Sequence, residues 1–152
     1  YEYMVNGHWE KMTVLHESIK VKGETEPVRF NVRLTRHGPI INDAVSGPQK
    51  QWVYGWQPLA LQWTALKPIR LAASVLEIDR AGNWDAFRNA LRDWSVPAQN
   101  FVYADVDGNI GYQMPGLIPI RAKGDGTLPV PGWTDEDAWK GYIPFDKLPN
   151  SF

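Results

Sequence analysis

Apolar and polar residues alternate with a period of two along much of the first third of the chain. That period marks a strand with one face toward a core and one toward solvent. Between Pro27 and Thr35, Val28, Phe30, Val32 and Leu34 fall on one side, and Arg29, Asn31, Arg33 and Thr35 on the other. A shorter alternation over residues 18–21 precedes it and breaks at Gly23-Glu24. Tyr1 to Trp9 reads as strand and turn, with Asn6-Gly7 the hairpin dipeptide, since a two-residue turn between twisted strands requires positive φ. His37-Gly38-Pro39 ends the long strand and Ile40-Ile41 opens a short apolar segment. After a loop at residues 46–50 come two further apolar stretches, 52–56 and 59–66. In the second, strand alternation would put Leu59, Leu61 and Trp63 on one face, and Ala60, Gln62 and Thr64 on the other.

The period then lengthens. Pro68 suits the first turn of a helix, and Leu71, Ala72, Val75 and Ile78 make a helical stripe ending near Gly82. Asn83 is a natural N-cap for a second helix, in which Trp84, Phe87, Leu91 and Trp94 recur at spacings of three and four before Pro97 stops it. Phe101 and Tyr103, the turn dipeptide Asp107-Gly108, then Ile110 and Tyr112 predict another hairpin. From Pro115 onward periodicity fades among prolines and glycines, and a segment with Trp133, Trp139, Tyr142 and Phe145 embedded in it is expected to wrap over a sheet or a partner surface. Together these elements predict an α+β fold, mostly antiparallel sheet with a helix pair, with residues 1–152 as one segment.

Composition narrows the partners. Sixteen basic and seventeen acidic residues give a net charge of −1, which favours neither nucleic acid nor an anionic membrane surface. No apolar run approaches the roughly 20 residues of a membrane-spanning helix. With no cysteine there is no disulfide and no thiol chemistry. Eight tryptophans in 152 residues point to aromatic core and interface packing, or else to a stacking platform for a ligand or carbohydrate.

Candidate chemistry is sparse. His8, His16 and His37 lie on separate segments without a second ligand at metal-binding spacing. Residues 105–109 echo a calcium loop, but Ile110 and Gly116 occupy the positions where such a loop needs glycine and glutamate, so the stretch reads as a turn. The run Asp135-Glu136-Asp137 reads as a solvated turn. None of Ser18, Ser46, Ser74, Ser95 and Ser151 lies in a nucleophile-elbow or S-x-x-K setting, and no glycine-rich phosphate loop exists.

Several motifs, in order, carry a resemblance. They are HGPI at 37–40, LALQWTAL at 59–66, NWDAFRNAL at 83–91, QNFVYADVDGNIGY at 99–112, GDG at 124–126, LPVPGW at 128–133 and WKGYIPF at 139–145. This set resembles the penicillin acylase family of N-terminal-nucleophile hydrolases, specifically an internal segment of the large subunit. The resemblance implies a place in a four-layer αββα fold and a periplasmic or extracellular parent that hydrolyses N-acyl amides, either β-lactam side chains or acyl-homoserine lactones. It also implies a precursor matured by autocleavage, whose new N-terminal serine supplies nucleophile and base together, and an asparagine that steadies the oxyanion. Both would lie outside these residues, so no catalytic residue is expected among them. The partners implied are the rest of the large subunit and the small subunit.

By the same resemblance Trp63 matches a position lining the acyl pocket. Gln99 matches another wall position that is often apolar, so its amide departs from a phenylacetyl-type wall. Gly126 matches the neighbourhood of a carbonyl ligand to a structural calcium; no cofactor is implied for catalysis. The rival expectation is a stand-alone, tryptophan-rich ligand- or carbohydrate-binding module.

Overall fold

The computed structural model describes residues 1–44 and 57–152. The apolar stretch expected at 52–56, the loop at 46–50 and Ser46 lie outside the described residues. Among the described residues the fold is mixed α/β, with antiparallel sheets and two α-helices, and the contacts divide into two compact units. The first comprises residues 1–63 and 123–138, the second 64–122 and 139–152.

In the first unit, β1 (Glu2–Val5) and β2 (His8–Lys11) pair in a hairpin whose register runs from Glu2 opposite Lys11 to Val5 opposite His8. Asn6 and Gly7 form its two-residue turn with φ of 46° and 88°, the left-handed pair that the dipeptide predicts. A second sheet has the order β3 (Thr13–Ile19), β4 (Val28–Thr35), β5 (Gly38–Pro39), all antiparallel. Opposed pairs Leu15–Val32 and Ile19–Val28 gather the apolar residues of β3 and β4 on one face, as alternation requires. The expected burial of that face holds only near its base. Val32 and Leu34 are half-buried, whereas Leu15, Ile19, Val28 and Phe30 are exposed. The reason is length: a two-stranded ribbon reaches past the elements that cover its base.

The stretch from Leu59 to Trp63 is not the strand its alternation suggests. Among the described residues its ladder bonding is one bridge, Ala60 opposite Ile40, through Ile41 N–H to Leu59 C=O (2.9 Å) and Leu61 N–H to Pro39 C=O (2.8 Å). Beyond it Thr64–Leu66 winds into a 3₁₀ turn, and Leu61 and Trp63 are exposed. An apolar row needs a partner strand to become sheet, and among the described residues its ladder bonds reach only Pro39 and Ile41.

In the second unit, α1 (Leu71–Asp79) begins three residues after Pro68, so the proline precedes the helix instead of opening it. Its inward stripe is also rotated. Ser74 is fully buried and donates to Ala90 C=O (2.7 Å), while Val75 and Leu76 face outward. A small hydroxyl at the crossing lets α1 approach the backbone of α2 (Trp84–Ala90) more closely than valine would. Asn83 caps α2 as predicted, its side chain accepting from Ala86 N–H at 2.9 Å. Trp84, Phe87 and Leu91 then pack with Tyr103 as the core, flanked by Ile78, Trp94, Phe101 and Phe145. The Val96–Pro97 peptide beyond is cis.

β6 (Phe101–Ala104) and β7 (Ile110–Gln113) form the predicted hairpin, with β10 (Asn150–Ser151) on the other side of β7. The connection is longer than an Asp-Gly dipeptide turn. Ala104 opposes Ile110, leaving five residues between them. The Asp105 carboxylate holds this loop, accepting from Asp107 N–H (3.0 Å), Asn109 N–H (2.9 Å), the Asn109 amide (2.9 Å) and the Tyr103 hydroxyl (3.0 Å). Gly111 permits close stacking, because a Cβ there would lie 2.6 Å from the Trp84 ring. β8 (Pro119–Arg121) and β9 (Trp139–Tyr142) form a further antiparallel pair with a bulge at Ile120/Arg121. The C-terminal third is therefore more regular than its sequence suggests. Its short strands carry too few residues to show a period.

Candidate functional site

Trp63 and Gly126 fall in the first unit and Gln99 in the second. Trp63 lies between the Ile40–Ala60 bridge and the 3₁₀ turn, with 53% of its surface exposed. Gln99 precedes β6, where its backbone N–H donates to Pro115 C=O (3.3 Å) and its side chain is exposed. Gly126 has φ of +84° in an exposed turn. Beside it the Asp125 carboxylate accepts from Thr127 N–H (2.9 Å) and the Thr127 hydroxyl (2.7 Å).

The serines and histidines with recorded partners are engaged structurally. Ser74 bonds Ala90 C=O, His16 Nδ1 lies 2.7 Å from Asn31 Oδ1 across β3 and β4, and His37 meets Arg36 and Gly132. The Ser95 hydroxyl is buried without a partner. The Asp105 carboxyl is held below the usual carboxylate range by the groups that donate to it, the Asn109 amide foremost. That carboxylate organises a turn, as the failed calcium-loop pattern implies. Among the described residues no group of three or more His, Cys, Asp or Glu side chains is arranged to hold a metal ion.

Two side-chain networks went unread in the sequence because their partners are far apart along the chain. In the first unit, Arg36 reaches residues 132–135. Its Nη1 lies 2.9 Å from Asp135, and its Nη2 donates to Gly132 C=O (3.3 Å) and Thr134 C=O (3.2 Å). Asn6 completes the attachment from the β1–β2 turn, through its amide to Asp135 (2.7 Å) and its N–H to Trp133 C=O (2.8 Å). In the second unit, Arg88 on α2 and Arg92 in the 3₁₀ turn Leu91–Asp93 that follows it lie four residues apart and both reach Asp146, at 3.2 Å and 2.9 Å. Their guanidinium carbons lie 5.0 Å and 4.6 Å from the centre of the Phe145 ring. Fully buried Gln113 accepts from Arg88 Nε (3.0 Å). The i, i+4 arginines were the one visible signal.

A mixed α/β fold of antiparallel sheets and a helix pair, carrying this ordered motif set, points to a family of amidohydrolases of the acylase type. The chain belongs to the penicillin amidase family, whose model matches residues 1–152. An acyl-homoserine lactone acylase QuiP from Pseudomonas fluorescens (strain Pf-5) is 38% identical, aligned over 97% of this chain and 18% of that protein. A penicillin G acylase from Escherichia coli is 35% identical over 99% of this chain and 17% of that protein. A thermostable penicillin G acylase structure from Alcaligenes faecalis superposes with a TM-score of 0.74 at 25% identity, covering 99% of this chain and 26% of that chain. The chain thus spans less than a fifth of the length of these two curated relatives.

Proposed function

We propose that residues 1–152 are a scaffold and acyl-pocket segment of the large subunit of an N-acyl amide hydrolase, acting on β-lactam side chains or acyl-homoserine lactones. The observation that carries this reading is the family match across the whole chain, joined to a fold likeness that covers 99% of it but only 26% of the acylase. In this reading the segment performs no bond-breaking itself. The nucleophilic serine and the oxyanion asparagine belong to other parts of the mature enzyme, and the working partners are the rest of the large subunit and the small subunit cut from the same precursor. A periplasmic or extracellular location belongs to the same reading.

Trp63 is the residue we assign to the acyl group. Its indole is large, flat and half uncovered, on a segment too sparsely bonded to be sheet. Removing a ring from contact with an acyl chain costs roughly 1–3 kcal/mol of transition-state binding, by an amount that depends on chain length. The test is kcat/KM of full-length enzyme and its Trp63→Ala variant over a series of acyl lengths. A loss that grows with chain length is expected, and an equal loss at every length would make Trp63 a packing residue only. Gln99, by its motif likeness, would offer a polar amide at another wall position of an acyl pocket. Gly126 would contribute one carbonyl to a structural calcium. Such an ion needs six to eight oxygens, the rest of which would come from other residues, and no step of the reaction is routed through it.

Exposed Trp9, Trp63 and Trp133 keep a second reading open to test, a carbohydrate-binding module. Titration of the full-length protein with neutral oligosaccharides, followed by tryptophan fluorescence, separates the two. Saturable quenching lost on Trp63→Ala, with amidase activity untouched, would favour the module.

A further inference from the structure

One imidazole nitrogen in the first unit has two neighbours that it cannot satisfy together. His37 Nε2 lies 2.8 Å from Gly132 C=O and 3.1 Å from Arg36 Nε. A carbonyl oxygen only accepts and a guanidinium N–H only donates. Carrying a proton, Nε2 bonds Gly132 and opposes Arg36. Carrying a lone pair, it accepts from Arg36 and opposes Gly132.

The same guanidinium is the principal attachment of residues 132–135, through Gly132 C=O, Thr134 C=O and Asp135. We propose that His37 is a proton-controlled latch on this segment, with the lone-pair form drawing Arg36 into place and the doubly protonated form driving it out. Protonation adds no bond to Gly132 beyond the one a neutral Nε2–H tautomer makes. It removes the option of accepting from Arg36 and sets a second cation beside the guanidinium, only partly offset by Asp135. The protonated Nε2 keeps one bond, to Gly132, where Arg36 makes three attachments, so acid loosens 132–135.

The other groups around the latch do not act in the same way. Thr35 Oγ, which accepts from His37 N–H (3.2 Å), does not titrate. The Tyr3 hydroxyl accepts from Arg36 N–H (3.0 Å) and donates to Glu10 (2.9 Å). Burial pushes that hydroxyl above the usual phenol range, with Glu10 adding to it, so it stays protonated in acid. Farther along the segment Glu136 is held below the usual carboxylate range by its hydrogen bond and charge pairing with Lys123, so that pair survives mild acidification. Asp135 is the remaining carboxylate, bonded by Asn6 and Arg36.

The test is hydrogen exchange of backbone amides at 132–138 in the full-length enzyme, corrected for intrinsic rates, from about pH 8 to about pH 5, where histidine is the side chain that changes charge. Wild type is expected to lose protection several-fold on acidification. His37→Gln should show no such change, and Arg36→Gln should be unprotected at both ends. If His37→Gln does not fold, Asp135→Asn decides: an acid loss that persists without the carboxylate supports the latch, and one that vanishes with it overturns it. A protection profile that falls equally in wild type and His37→Gln overturns it and assigns the acid response to Asp135.

Discussion

Single side chains here matter by what they would leave behind. Gln113 is fully buried, and truncating it strands the Arg88 guanidinium N–H that it accepts. Gln113→Leu should destabilise by about 1–3 kcal/mol, the usual cost of orphaning a buried donor. A melting temperature unchanged in the full-length protein would show that water takes over. Asp146 sets a pH dependence. Its carboxyl is held below the usual range by its hydrogen bond to Arg92, with Arg88 contributing. A carboxyl lowered by folding stabilises fully above its unfolded pKa and loses that contribution as pH falls through the lowered folded value. Wild type should therefore lose melting temperature on the acid side of the ordinary carboxylate range, and Asp146→Asn should flatten that limb. Because Asp146 is mostly exposed, salt should shrink the difference.

At the scale of elements, the helix start is the sharpest target. Asn83→Ala removes the acceptor of Ala86 N–H and should cost about 0.5–2 kcal/mol, whereas Asn83→Ser should recover most of it. Gly111→Ala tests the packing above that start, since a methyl at 2.6 Å from the Trp84 ring must displace the indole, at about 1–3 kcal/mol. Equal thermal shifts for Asn83→Ala and Asn83→Ser would contradict the cap. These elements were readable because their causes are local: a capping side chain, a left-handed dipeptide, a three-and-four spacing. The elements read wrongly depend on distant partners. Leu59–Trp63 has strand alternation but, among the described residues, ladder bonds only to Pro39 and Ile41, and α1 turns Ser74 inward because Ala90 lies across from it. The candidate site divides the same way. Trp63, Gln99 and Gly126 came from motif likeness, while Arg36, Gln113 and the pair Arg88 and Arg92 act through contacts 25 to 99 residues away along the chain.

For the whole molecule, the exposed row Leu15, Ile19, Val28 and Phe30 on a two-stranded ribbon is the chief demand for cover. Residues 1–152 alone should bind an apolar dye, associate as concentration rises and hydrolyse no chromogenic N-acyl amide. A compact monomer that binds no dye, or turnover abolished by a point substitution within these residues, would contradict the segment reading. The division into units carries a consequence for synthesis. Chain emerging from a ribosome is usable in order, and a domain ordinarily folds once its last residue is out. Here the first unit lacks residues 123–138 until nearly all of the second has been made, and the second lacks β9 and β10 until the first is finished. Neither can close in its turn. For most of its translation this stretch is two unfinished bodies waiting on one tail.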